Sequence, residues 1–152
     1  VRFTFQEEKF DPFFAEAQEL FAAHYAELAL NQDVLKMDLD PASYQRLEDA
    51  GRLFILTVRR DGVLIGYLVA FPMPHHMHYK SAGPVCLTDM YYIIPEFRRG
   101  AGAKLFVEFE RRMRERKCVQ IMTGCKRHQN HGELFTALGW TNSDLTFVKV
   151  LR

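Results

Sequence analysis

The chain has 152 residues, a formal net charge of +1, and a composition that is 48% hydrophobic, 13% aromatic and 26% charged. That length predicts one domain, residues 1–152, with a sizeable core, and that apolar content excludes intrinsic disorder. The near-neutral balance excludes a chain-wide field for nucleic acid or an anionic membrane, and the longest apolar run, 63–71, is about half of what a bilayer-spanning helix needs.

Asp11 and Pro12 set an N-cap and a first-turn proline ahead of Phe13, Ala17, Leu20, Phe21, His24 and Leu28, whose spacing predicts a first helix. A second Asp-Pro pair, Asp40 and Pro41, opens a shorter helix that carries Tyr44 and Leu47 and ends at Gly51. Residues 53–58 and 63–71 are β-rich runs around Arg59-Arg60-Asp61-Gly62, and the Asp-Gly step predicts a tight hairpin between antiparallel strands. The prolines of Phe71-Pro72-Met73-Pro74-His75-His76-Met77-His78 predict a loop, where binding residues tend to concentrate. Residues 85–94 predict a strand stopped by Pro95, and 102–117 a helix with Leu105, Phe106, Phe109 and Met113 on one face. A strand near 119–123, a short helix over 131–138 stopped by Gly139, and a last strand near 146–151 complete the order. The series βαα, ββ, β-loop-α, β-α-β predicts an α/β (α+β) fold, with a single mixed, mostly antiparallel sheet flanked by helices.

Ligand-binding chemistry is densest in Pro95-Glu96-Phe97-Arg98-Arg99-Gly100-Ala101-Gly102-Ala103-Lys104-Leu105, between a buried strand and an amphipathic helix. Small residues let a ligand approach the backbone, the free N–H groups of a helix N-terminus favour phosphate, and Arg98, Arg99 and Lys104 add positive charge. The same glycines read equally well as relief of crowding in a plain strand-to-helix turn. His75, His76 and His78, with His128 and His131, lack a scaffold that would fix them as ligands, and no metal is expected. Arg111, Arg112, Arg114, Arg116 and Lys117 are interspersed with Glu110 and Glu115, the pattern of a solvated helix face rather than a nucleic-acid surface. Cys86, Cys118 and Cys125 are odd in number and lack CxxC spacing, which argues against a disulfide framework or a zinc site and for the reducing cytoplasm. Val1-Arg2-Phe3, with charges soon after, has no signal-peptide pattern.

Tyr92-Ile93-Ile94-Pro95-Glu96 before the glycines, and Asn130 with Leu134-Phe135-Thr136-Ala137-Leu138-Gly139-Trp140 after them, resemble two ordered signatures of the GNAT (GCN5-related N-acetyltransferase) superfamily. In that family a strand ending Tyr-hydrophobic-x-Pro-Glu leads into a pyrophosphate-binding Q/R-x-x-G-x-G/A, and a later helix carries roughly Asn followed by Phe-Tyr-x-x-Leu-Gly-Phe. The resemblance runs from about Arg52 to the C-terminus and is only topological before it. It implies an acyl-CoA N-acyltransferase fold, acetyl-CoA as cosubstrate, a primary amine as acceptor, no metal, and a homodimer. It also implies cofactor contacts from Tyr92, Ile93, Ile94, Arg98, Arg99, Gly100, Ala101, Gly102, Ala103, Lys104, Asn130 and Phe135. Placing Gly100-Ala101-Gly102 on G-x-G puts Phe97 where the family has Arg or Gln. Placing Arg98 there instead puts Ala101 and Ala103 at the small positions, with a poorer helical spacing to Leu105, Phe106 and Phe109; the first placement is favoured.

The implied reaction is direct attack of the amine on the thioester carbonyl, through a tetrahedral intermediate that collapses to amide and CoA thiolate. It needs a neutral amine, a donor for the oxyanion and a proton for the sulfur. Asp89, six residues before Pro95, stands where many relatives carry a catalytic carboxylate; it serves as the base, or else pairs with a neighbouring strand or orients a cationic substrate. Tyr92 is the second catalytic candidate, through backbone N–H groups near it that a bulge would free. The tyrosine that many relatives use as general acid is Phe135 here, so the proton falls to Tyr91 or Tyr92, only one of which faces the site, to a water, or to no group at all. The alternative function is an acyl-CoA-binding regulatory protein that has lost turnover.

Overall fold

The structure, a computed structural model, describes residues 2–151; Val1 and Arg152, the ends of the expected 1–152 domain, lie outside the described residues. Five strands form one sheet in the order β1-β2-β3-β4-β5: β1 (Phe3–Glu7), β2 (Phe54–Arg60), β3 (Val63–Met73), β4 (Val85–Ile93) and β5 (Gln120–Met122). The first four are antiparallel neighbours, and β4 and β5 are parallel. The expected mixed, mostly antiparallel sheet is therefore present. The β2–β3 hairpin turns at Asp61 and Gly62, both at positive φ (51° and 81°), as a two-residue turn matched to strand twist requires.

Helices cover both faces, which is why β2 and β3 read as nearly continuous apolar runs rather than alternating ones. On one face α4 (Arg98–Glu115) and α5 (Gly132–Ala137) bury Leu105, Phe106, Phe109, Met113 and Phe135 against Phe54, Leu56, Val58, Leu68 and Cys86. On the other, α1 (Phe10–Glu16), α2 (Gln18–Leu28) and α3 (Pro41–Asp49) close over Ile55, Tyr67, Val69 and Tyr92, with Phe13 and Phe21 packed edge-on to Tyr67. Arg59 ties β2 to this layer by pairing with Glu8 at 2.8 Å and Glu16 at 2.6 Å. Arg111, Arg112 and Arg114 of α4 pair with Glu108, Glu110 and Glu115, and Arg112 and Arg116 reach Glu7 of β1, so the arginines of this run form a solvated, ion-paired face.

Several elements depart from the sequence expectation. The first helix begins at Phe10 after an extended Lys9, not at an Asp11 cap, and divides at Ala17, which is fully buried. Pro12 sits in the first turn, where its missing N–H has no helical partner to lose. The third helix matches: Asp40 accepts from the Ser43 N–H at 3.2 Å and Pro41 opens the first turn. Pro72 lies within β3 opposite Cys86 rather than in a loop; β2 stops pairing at Ala70, so the edge of β3 away from β4 is open there and tolerates a residue without an N–H. The glycines 100 and 102 are inside α4, because Pro95–Phe97 forms a 3-10 turn and the helix starts at Arg98. The strand expected near 146–151 does not form: that segment has no strand or helix, and Phe147 and Leu151 are 88% and 84% exposed.

Candidate active site

The site is organised by an irregularity in β4. Val69 pairs with Met90 and Ala70 with Thr88, so Asp89 is an extra residue in the ladder, a bulge. The bulge reverses the alternation of faces: Cys86 packs against the α4 layer, whereas Met90, four residues on, packs against the α1–α2 layer. Asp89 is turned to the same side, where it accepts a hydrogen bond from the Tyr44 hydroxyl of α3 at 2.5 Å. Tyr44 is held flat on Phe10, with ring centroids 5.5 Å apart and planes 13° from parallel. Partial desolvation raises the pKa of Asp89, opposed by the Tyr44 O–H, which favours the anion. The expected bulge exists, but at Asp89 rather than beside Tyr92.

Beyond the bulge, β4 and β5 separate. They pair only over Val85–Leu87 and Gln120–Met122, and then Thr88 Oγ1 and Thr123 Oγ1 meet at 2.8 Å and the Tyr91 hydroxyl donates to the Gly124 carbonyl. The Ile94 N–H donates to the Ile65 carbonyl at 3.0 Å, which sets the parity of the β3–β4 ladder. Tyr92 accordingly turns its N–H to β3, while Tyr91 and Ile93 turn theirs to the side that β5 has vacated. A cleft of about 110 Å³ opens there, walled by Tyr91, Tyr92 and Ile93 of β4, Arg98, Gly102 and Phe106 of α4, and His131 and Leu134 near α5. The two tyrosines diverge: Tyr91 packs edge-on to Phe106, and Tyr92 stacks on His24 at 5.0 Å.

At the start of α4, Arg98 is already engaged. Its guanidinium makes two 2.6 Å hydrogen bonds to Glu27, its Nε donates to the Ile93 carbonyl at 2.8 Å, and it lies 5.3 Å from the Tyr92 ring centre. This clamp joins α2 to α4 and lowers the pKa of Glu27, chiefly through the Arg98 hydrogen bonds. The Phe97 and Arg98 N–H groups are used by the 3-10 turn, which leaves those of Arg99 and Gly100 as the donors without helical partners. A side chain at Gly100 would meet the Phe3 ring at 3.0 Å, so that glycine serves packing; one at Gly102, on the cleft wall, would meet nothing within 4 Å. Ala101 is fully buried, and the Lys104 ammonium lies 5.7 Å from the Phe3 ring centre.

On the far wall, Asn130 is turned inward to its own loop: its Oδ1 accepts from the Gly132 N–H at 2.8 Å and lies 3.6 Å from Cys125 Sγ. Phe135 is buried among Phe106, Trp140 and Tyr91. Burial raises the Tyr91 pKa and lowers that of His131; both are neutral near pH 7. His24 is lowered to about 4 by burial, and its Nδ1 meets the Tyr67 hydroxyl at 2.7 Å. His76, His78 and Tyr79 cluster on the 74–84 loop, and no group of three His, Cys, Asp or Glu among the described residues could hold a metal.

The structure thus brings Asp89, Tyr91, Tyr92, Ile93, Arg98 and Gly102 along one strand–helix junction, with Phe135 behind Tyr91. It adds Tyr44, His24 and Glu27, which the sequence reading did not single out. Helical spacing placed Tyr44 and His24 on α3 and α2, but nothing local to them reported a partner at positions 89, 67 or 98.

The acetyltransferase (GNAT) family model matches residues 6–140. A search of curated protein sequences returns no match. Solved structures share the fold at low identity. The aminoglycoside acetyltransferase meta-AAC0020 from an uncultured soil metagenomic sample, in complex with sisomicin, superposes with a TM-score of 0.72 at 12% identity, over 99% of this chain and 97% of that one. A ribosomal-protein-alanine N-acetyltransferase from Brucella melitensis biovar Abortus 2308 gives 0.72 at 17%, over 99% and 100%. A predicted acetyltransferase with acetyl-CoA from Clostridium acetobutylicum gives 0.71 at 8%, over 99% and 96%.

Proposed function

Because the chain belongs to the GNAT acetyltransferase family, we propose that it transfers an acetyl group from acetyl-CoA to a primary amine by direct attack, with Asp89 as the base. The observation that carries this reading is the bulge, which sets a carboxylate of raised pKa next to the stretch of β4 whose N–H groups face the cleft.

The pyrophosphate would sit on the Arg99 and Gly100 N–H groups with the side chains of Arg99 and Lys104 in reach, and pantetheine would pass Gly102 into the cleft. Asp89 takes the ammonium proton, directly or through a water, and frees the nitrogen lone pair. The amine attacks the thioester carbon, and the Tyr91 N–H donates to the developing oxyanion. On collapse, the C–S bond breaks, the attacking nitrogen gives up its second proton to water, and CoA leaves as thiolate, which takes a proton from the Tyr91 hydroxyl, itself reprotonated from solvent, or leaves unprotonated. Phe135 supports Tyr91 from behind and has no proton to give. We place the protein in the cytoplasm, where the thiols Cys86, Cys118 and Cys125 are stable. Among the described residues no helix is long and apolar enough to cross a membrane.

The test is release of free CoA thiol from acetyl-CoA in the presence of an amine panel. The reading requires release that depends on both substrates and is lost in Asp89→Asn. The enclosure of Phe135 favours one second reading, an acyl-CoA-binding regulator without turnover. It would show thermal stabilisation by acetyl-CoA and no thiol release with any amine.

A further inference from the structure

Beside the bulge the sheet carries an apolar row outside both cores. Phe71 of β3 pairs with Leu87 of β4, and Leu87 with Met122 of β5, so the three side chains lie at one level on one face of the sheet. Ala70, Cys86 and Ile121, the residues just before them, pack under α4, which puts the row on the side of α1, α2 and α3. The helices of that side close over Ile55, Tyr67, Val69 and Tyr92, and the row continues the same face beyond them. Phe71, Leu87 and Met122 belong to neither core: Leu87 is 40% exposed and the other two are half-buried. Tyr44 of α3 flanks both the row and the carboxylate, since its ring centre is 6.3 Å from that of Phe71 and its hydroxyl donates to Asp89.

Charge narrows what can lie there. Asp89 is the one acidic residue in β3, β4 and β5. The loop between β3 and β4 has no acid and carries His75, His76, His78 and Lys80, and the loop that follows β5 has none either and carries Lys126 and Arg127. A polyamine or an aminosugar with several ammonium groups could place one of them at Asp89, and on these strands and loops the others would meet apolar or basic side chains, at the cost of desolvating unpaired charge. A single ammonium with an apolar substituent fits both parts of the surface. With strands about 4.8 Å apart the row is about 10 Å long, enough for one ring on a short arm.

We propose that the acceptor is a small monoamine with one aryl or branched-alkyl arm, its nitrogen at Asp89 and its arm on Phe71, Leu87 and Met122, an assignment that rests on the acetyl-transfer reading above. Covering the row removes apolar surface from water on both partners, so Leu87 and Met122 set the preference among amines while Asp89 holds the nitrogen.

The experiment titrates the full chain, saturated with CoA, with phenylethylamine, ethylamine and spermidine by calorimetry, and follows thiol release from acetyl-CoA with the same three amines. Phenylethylamine should bind about tenfold or more tightly than either of the others and give the highest kcat/KM. Leu87→Gln, at an exposed side chain, and separately Met122→Gln on β5 should each cut its preference over ethylamine by about tenfold in both readouts. Equal affinities, a preference for spermidine, or a preference that both variants keep overturns the proposal, and thiol release in the same assays leaves acetyl transfer standing. Tight binding of phenylethylamine that the variants lose, without thiol release from any amine, removes acetyl transfer and keeps the row as the amine's binding surface.

Discussion

The Tyr44 hydroxyl donates to Asp89 Oδ2 at 2.5 Å, so a residue of α3 holds the carboxylate that the β4 bulge presents. Burial and the neighbouring carboxylate together raise the Tyr44 pKa, and the phenol remains a donor throughout the working pH range. Removing it withdraws a hydrogen bond that favours the Asp89 anion, and the Asp89 pKa rises further. A base must be ionised to act, so Tyr44→Phe should move the acidic limb of the kcat/KM profile to higher pH. Asp89→Asn should lower kcat/KM by roughly 10²–10⁴ while acetyl-CoA still stabilises the protein. An acidic limb that stays in place in Tyr44→Phe would show that Tyr44 does not tune the base.

His24 supplies a stability prediction. Its pKa falls from 6.5 to about 4 in the folded protein, so the folded state binds fewer protons than the unfolded one between those values. Its contribution is complete above pH 6.5 and is lost as pH falls towards 4. At about 1.4 kcal/mol per pKa unit the full loss is at most about 3.5 kcal/mol. Urea titrations at pH 7 and pH 5 should show that drop beginning in the native chain, and a shallower one in His24→Phe. That variant should also be less stable at pH 7 by about 1–3 kcal/mol, because the buried Tyr67 hydroxyl loses its partner.

Gly102 separates stability from binding. A Cβ there meets nothing within 4 Å and the position is helical, so Gly102→Ala should leave the melting temperature unchanged or raise it. Gly102→Leu projects into the cleft and should raise the Kd for acetyl-CoA at least tenfold with the fold intact. Calorimetric titration checks both; an unaltered Kd in the leucine variant would move the cosubstrate elsewhere.

Arg98 and Arg99 are adjacent and should behave oppositely. Arg98→Gln breaks the clamp to Glu27 and the bond to the Ile93 carbonyl, and should cost about 1–3 kcal/mol in urea unfolding. Arg99→Gln should leave unfolding unchanged and weaken CoA binding, with a smaller effect at high salt.

How far the sequence carried each element follows from where its information lay. The α3 cap at Asp40 and the Asp61–Gly62 hairpin were legible because one side chain or one pair of φ angles decides them. The start of α4 was not: Gly100 and Gly102 lower helix propensity, and the helix forms across them because Leu105, Phe106 and Phe109 are packed. Asp89 was a candidate because the family resemblance points to its place six residues before Pro95, but its partner Tyr44 lies 45 residues away and no local pattern joins the two. The role of Arg98 was hidden for the same reason, since its partner Glu27 is 71 residues distant. The segment near 146–151 has the composition of a strand, but strand pairing needs a neighbour, and composition names none.

The bulge at Asp89 also constrains how this chain can vary over evolutionary time. Deleting that single residue would restore strict alternation and rotate one half of β4 against the other. Either Cys86 would leave the α4 layer, or Met90 and Tyr92 would exchange sides with Tyr91 and Ile93, and the tyrosine stacked on His24 would face the other way. A substitution at position 89 leaves the alternation of faces in place; a change in the length of β4 does not.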